Sequence, residues 1–335
     1  MLKRKTALLF LILLVVSLQW GCNTNPYKAD ISDIDIEPVQ IHRYGKSLFE
    51  MDKSNVGKGL EELSDRFRFF LGDNYRDTLG IIQISEFIND PFNLKIADEC
   101  LKQYPDLNAI EEDFTEAFSY FKYHFPEKEI PEVYSYISGL SYENPAGYYD
   151  SVLILALDLY LGKDFDGYRQ VGLPFYQVRR MEPHSILPDC FTEMAMASFA
   201  EPGSMNTLLD RMVYYGKVLY FLDNMLPETP DEHKIGFTPE QLQWCIENEN
   251  ELWSFIINND LLYSSDYHKI NQLIQDGPFT NGFGKESPAM TGRWLGWQIV
   301  REYALNNPKM PLEKILQNTD SQGILQSSGY KPKRF

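Results

Sequence analysis

Two hydrophobic periods alternate along the chain, and the places where one gives way to the other outline its elements. In "DLNAIEEDFTEAFSYFKYHF", Leu107, Ile110, Phe114, Ala117, Phe118, Phe121 and Phe125 recur at spacings of three and four. That interval stacks side chains on one face of an α-helix. "SMNTLLDRMVYYGKVLYFLDNML" repeats it, with Met205, Leu208, Leu209, Met212, Val213, Leu219 and Tyr220 on one stripe. "TPEQLQWCIENENELWSFI" opens with a full helix start: Thr238 can cap, Pro239 suits the first helical position and Gln241 closes a capping box. A last long helix is predicted through "GRWLGWQIVREYAL".

The period of two is confined to the middle of the chain. "EVYSYIS" sets Val133, Ser135 and Ile137 against Tyr134 and Tyr136, as a half-buried strand would. "GLSYENPAGYY" reads as a loop, and "SVLILALDLYL" as a continuously apolar strand buried on both faces. Two strands joined by a loop predict an antiparallel pair. The predicted class is α+β: a mostly helical single domain around a small central sheet containing antiparallel strands.

A third pattern opens the chain. Lys3, Arg4 and Lys5 precede the apolar run "ALLFLILLVVSL", and "SLQWGCNTN" follows. A membrane-crossing helix needs about 20 apolar residues, so this shorter run has the layout of a secretory signal. Gly21-Cys22 matches the end of a bacterial lipobox, although Gln19 and Trp20 replace its usual aliphatic and small residues. Residues 1–21 are therefore expected to be a lipoprotein signal peptide, with Cys22 as the acylated new N-terminus. Acyl chains contribute about 0.8 kcal/mol per buried CH₂ and two or more of them anchor a chain stably. The polar, turn-rich residues 22–38 read as a tether, and 39–335 as one globular domain.

Composition narrows the partners. The net charge is −17, and loss of Lys3, Arg4 and Lys5 with a leader takes it to −20. Such a body is repelled by phosphate backbones and anionic lipid surfaces, which argues against nucleic acid and assigns any membrane link to the lipid. Cys100, Cys190 and Cys245 lie far apart in apolar surroundings, with no C-x-x-C spacing, and read as small buried hydrophobes.

Catalytic signatures are missing. No two of His42, His124, His184, His233 and His268 lie within five residues of each other, so no H-E-x-x-H zinc helix exists. His184, beside Pro183, reads as a helix-start residue. There is no G-x-S-x-G, no G-x-G-x-x-G and no P-loop. On the helix after the sheet, "PHSILPDCFTEMAMA", Asp189 and Glu193 form the one polar pair a turn apart. Two carboxylates are few for a hard cation, and an acid in a first turn is also what the helix dipole favours. Glu247, Glu249 and Glu251 spread around their helix as solvated charges. Trp244, Trp253, Trp294 and Trp297, at helical spacing beside aliphatics, read as core packing rather than sugar platforms. No cofactor or metal is expected.

Several uncommon runs carry a resemblance: "TLLDRMVYYGKVLYFLDNMLPE", "GFTPEQLQWCIENENELWSFII", "NNDLLYSS", "GPFTNGF", "GRWLGWQIVREY" and "ILQSSGYKPK". Together with the lipobox they are similar to the GldB family of gliding-motility lipoproteins. The resemblance implies a membrane-attached protein of the cell envelope, lipid-anchored in the outer membrane and facing the periplasm. It also implies a fold related to gluzincin metallopeptidases whose zinc ligands have decayed. On that likeness Asp189, Cys190 and Glu193 stand at the first-ligand, base and second-ligand positions, and Tyr215-Gly216 replaces a Glu-Gly pair. The expected role is that of a non-catalytic pseudo-peptidase which binds other envelope proteins of the gliding and adhesin-secretion machinery. A former cleft lined by Asp189, Glu193, Tyr214, Tyr215, Trp294 and Trp297 would be the docking groove, since aromatic side chains dominate binding hot spots. The alternatives are a hydrolase with an atypical metal site and a binder of glycans or small ligands.

Overall fold

The computed structural model describes residues 25–72, 75–143, 145–199 and 206–332. A four-stranded sheet has the order β1-β2-β4-β3, formed by β1 (Ile41–Arg43), β2 (Glu132–Tyr136), β3 (Ala146–Tyr149) and β4 (Val152–Ala156). Three long helices precede β2: α1 (Thr78–Asn89), α2 (Pro91–Gln103) and α3 (Asn108–His124). The rest follow the sheet: α4 (Ile186–Ser198), α5 (Leu208–Met225), α6 (Pro239–Glu247), α7 (Glu249–Asn258), α8 (Tyr267–Ile274), α9 (Thr291–Leu305) and α10 (Ser321–Ser328). Short helical turns link them. The architecture is mostly helical α+β, as the periodicity predicts.

The sheet departs from the expected pairing. β2 and β4 run parallel, with Val133 opposite Leu153 and Ser135 opposite Leu155. The predicted loop contains β3, which pairs antiparallel with β4. Asp150 and Ser151 join them, both with positive φ (46° and 67°). Two such residues make the type I′ turn that matches strand twist, usually written Asn-Gly. Asp-Ser hides that signal, and the hairpin's reversal brings β4 back parallel to β2. On β4, Val152 and Ile154 are only half-buried, so one face alone is sealed.

Helix α5 departs too. Thr207 and Asp210 form its capping box, but the predicted stripe is not one-sided: only Asp210, Arg211 and Tyr215 escape burial between Leu208 and Met225. A helix apolar on every side belongs at the centre of a fold, and α3, α4 and α9 pack around it. Met205 lies outside the described residues. Against α9 the approach is closest at glycine. A Cβ on Gly216 would strike the Gly296 carbonyl, and one on Gly296 the Met212 carbonyl, so backbone touches backbone where no side chain fits. Further along, fully buried Asp223 accepts hydrogen bonds from Lys234 Nζ (2.9 Å), Trp297 Nε1 (2.8 Å) and Arg301 Nη2 (2.7 Å). Arg301 continues to Asp231 at 2.7 Å. This network ties α5, α9 and the turn Asp231–Ile235 together.

The helix starting at Thr238 has the predicted capping box. It ends at Glu247, and α7 begins at Glu249 after a break at Asn248. The break turns Glu249 inward: it is buried and accepts from Tyr330 Oη at 2.7 Å, so it is not a solvated charge. Cys100, Cys190 and Cys245 are buried free thiols. Residues 25–38 carry no regular element but are packed down. Asn25 Nδ2 donates to Pro227 O (2.6 Å), the Tyr27 ring meets Tyr220 edge-on at 5.8 Å, and Ile36 and Val39 lie against the core. The start and the end of the segment read as a tether thus touch the body. The signal segment and Cys22 fall outside the described residues.

Candidate functional site

Asp189 enters the structure through the first turn of α4, where its charge is also favoured by the helix N-terminus. It faces a cleft of about 230 Å³ lined by Tyr142, Tyr160, Gln177, Arg180, Asp189 and Asp276. Tyr160 Oη donates to Asp189 Oδ2 at 3.1 Å. Tyr160 is itself fixed by Tyr104, whose hydroxyl donates to the Tyr160 carbonyl at 2.5 Å. Arg180 spans the floor, with Nη2 3.4 Å from Asp189 Oδ1 and Nη1 3.4 Å from Asp276 Oδ2. Asp276 is oriented by the backbone of Gly277, whose N–H donates to Oδ1 at 2.8 Å. Gly236, at φ +75°, lies so close to the Arg180 guanidinium that a Cβ there would collide with it.

Two neighbouring arginines extend the cluster. Arg293 donates from Nε to Ile274 O at 2.7 Å and lays its guanidinium 4.0 Å over the Tyr215 ring. Arg179 donates from Nη1 to Gln241 Oε1 at 2.6 Å, while its buried Nε and Nη2 have no partner among the described residues. Burial dominates the electrostatics. It lifts the Asp189 carboxyl above the usual range despite Arg180 and Tyr160. It lifts Glu193 as well, with Asp189 adding to the shift. Burial also drives the Cys190 thiol far up, and a thiol so held is unreactive.

Of the residues singled out from sequence, the cleft gathers Asp189 directly and Tyr215 through Arg293. Glu193 stands one turn beyond Asp189, half-buried. The other three do not line a groove with them. Tyr214 is buried, its ring meeting Tyr215 at 5.2 Å. Trp294 is buried beside a different hollow, shared with Glu249, Arg301 and Tyr330. Trp297 is fully enclosed, with Arg301 stacked 3.8 Å over its indole. The proposed six-residue groove is thus not one surface, because α9 lies inside the fold and turns its tryptophans into the core. Arg180, Asp276, Tyr160 and Gln177 were missed. The pair Arg179-Arg180, in an apolar stretch of a strongly acidic chain, was the available signal.

A second hollow, about 310 Å³, lies between α3, the end of α5 and the turn Pro183–Ser185. His184 and His233 stack at its edge with ring centroids 3.9 Å apart. His184 sits in the turn that leads into α4, as its place beside Pro183 predicts. Among the described residues, no three His, Cys, Asp or Glu side chains converge as metal ligands. No described helix is long and apolar enough to cross a membrane.

The fold and cleft define a class: an α+β protein in which the carboxylate on the central helix layer is engaged by arginine and tyrosine. The profile of the family described as gliding motility protein GldB matches residues 24–332, and the chain belongs to that family. No curated protein and no solved structure gives a significant match.

Proposed function

We propose that this chain is a lipid-anchored, non-catalytic envelope protein that serves gliding motility by binding another component of the gliding and secretion machinery. One observation carries the non-catalytic reading. Arg180 and Tyr160 each contact one oxygen of Asp189, the residue that the resemblance sets at the first-ligand position. The Arg180 guanidinium already supplies the counter-charge of that carboxylate, and a metal cation bound there would lie against a fixed positive charge. Family membership supports the role in gliding, the lipobox supports acylation of Cys22, and the lack of acidic residues directly after Cys22 supports an outer-membrane position facing the periplasm. The cleft, with the exposed Tyr142 in its lining, is the docking site in this reading.

The test is complementation. In a strain lacking this protein, a gene carrying both Asp189→Asn and Glu193→Gln should restore spreading and leave partner capture unchanged. Loss of spreading by a variant that is folded, acylated and still holds its partners would refute the non-catalytic assignment. Photo-crosslinking from Tyr142 should capture an envelope protein, and capture equal to that from a distant exposed site would refute the cleft as the docking surface.

A further inference from the structure

The first residues of the described chain carry information about how the body sits on a bilayer. Asn25 is held at the end of α5 by its bond to Pro227 O, and its own Oδ1 accepts from Tyr27 N at 3.0 Å. The Tyr27 ring is wedged between Tyr220 (5.8 Å) and the Arg301 guanidinium (5.6 Å). Lys28 Nζ reaches Glu228 at 2.8 Å. Asn25, Tyr27 and Lys28 are therefore fastened to one end of the body, and only Asn23 and Thr24 separate Asn25 from Cys22. Three Cα steps span at most about 11 Å.

We infer that the body rides on the membrane in one orientation, with the face formed by Asn25, Pro227 and Glu228 turned to the lipid. This inference rests on acylation of Cys22 as proposed above. A long leash would let the body tumble, whereas this one is shorter than the body's own radius. The opposite pole follows from helix geometry. Helix α5 runs from Leu208 to Met225, so its start lies roughly 25 Å from the anchored end at 1.5 Å per residue. Leu208 N donates to Ser264 O there, at 3.1 Å, which puts the exposed Ser265 beside the start of α5, about a helix length from the anchored end. The lipid-facing side is acidic, carrying exposed Glu116 and Glu228, so it stands just off an anionic headgroup plane rather than sinking into it. The hollow bearing His184 and His233, which Pro227 and Glu228 help to line, opens on this membrane-proximal side.

The experiment uses the full acylated protein, isolated from cells and placed in phosphatidylethanolamine–phosphatidylglycerol vesicles containing a headgroup-nitroxide lipid. Cys100, Cys190 and Cys245 are buried, so a fluorophore is directed to Glu116→Cys, which leaves the Lys28–Glu228 contact intact, or to Ser265→Cys. Quenching should be several-fold stronger at position 116 than at 265. A long Gly-Ser insertion between Thr24 and Asn25 should erase that difference while leaving the protein on the vesicles. Equal quenching at the two sites without the insertion overturns the orientation and leaves the anchor standing. An N-terminal peptide without acyl mass, or protein that washes off the vesicles, overturns the anchor itself and the orientation with it.

Discussion

Replacing Gly296 with alanine tests the central claim about packing. Alanine is the better helix former by about 1 kcal/mol, so an unconstrained site would gain stability. Here the new Cβ would lie 2.9 Å from Met212 Cα, with the Met212 carbonyl closer still. Carbon atoms rest at about 3.5–4.0 Å, so α5 and α9 must part by roughly 1 Å. A gap of that size forfeits a quarter to a half of each dispersion contact across it. The seam includes Met212, Val213 and Trp297, each at most 1% exposed. Overpacking of this kind typically costs about 1–3 kcal/mol and occasionally more; a crossing with backbone on both sides cannot yield by a rotamer change, which puts the net loss near 3 kcal/mol. Thermal unfolding should show it as a fall of several degrees. Gly57 is the control: it is helical, and its Cβ would make ordinary contacts with Ile81 Cδ1 at 3.4 Å and Asn55 Oδ1 at 3.9 Å. Gly57→Ala should match or exceed the parent. A Gly296→Ala melting temperature within a degree of the parent would refute the close crossing.

Three further outcomes follow from the same reasoning. Asp223→Ala leaves Trp297 Nε1 without its acceptor and Lys234 and Arg301 with Asp231 alone, and should cost about 3 kcal/mol in urea unfolding; a loss under about 1 kcal/mol would mean that water reaches the network. His124, partly buried with no partner for Nε2 among the described residues, has its pKa pushed down to about 4 by burial. Its unfolded value is near 6.5, so the unfolded chain takes up the proton first: this contribution is complete above pH 6.5 and lost as pH falls towards 4. The parent should therefore lose on the order of 2 kcal/mol more than His124→Phe over that window, and parallel pH profiles would contradict it. Thr238→Ala removes the cap of α6 and should lower stability by about 1 kcal/mol, measured as a shift in urea midpoint; no shift would mean that tertiary packing alone holds the helix start.

What could be read from the chain alone is what short-range physics dictates. Spacings of three and four located α3, α5 and α9; Thr238, Pro239 and Gln241 marked a helix start within one residue; the family runs were legible in order. These signals survive because a helix satisfies its own backbone and needs only one consistent face. The tertiary structure decided the rest. Whether β2 and β4 run parallel depended on a hairpin turn that Asp150 and Ser151 do not advertise. Whether Trp297 faced a cleft or the core depended on α9 lying inside, which Gly216 and Gly296 permit only because α5 is there to meet them. The ionic cleft joins the distant Asp276 to Tyr160, Arg180 and Asp189, and no local pattern encodes the distance between them. Charges far apart along a chain acquire a shared environment only when burial removes the water between them, and burial is a property of the whole fold.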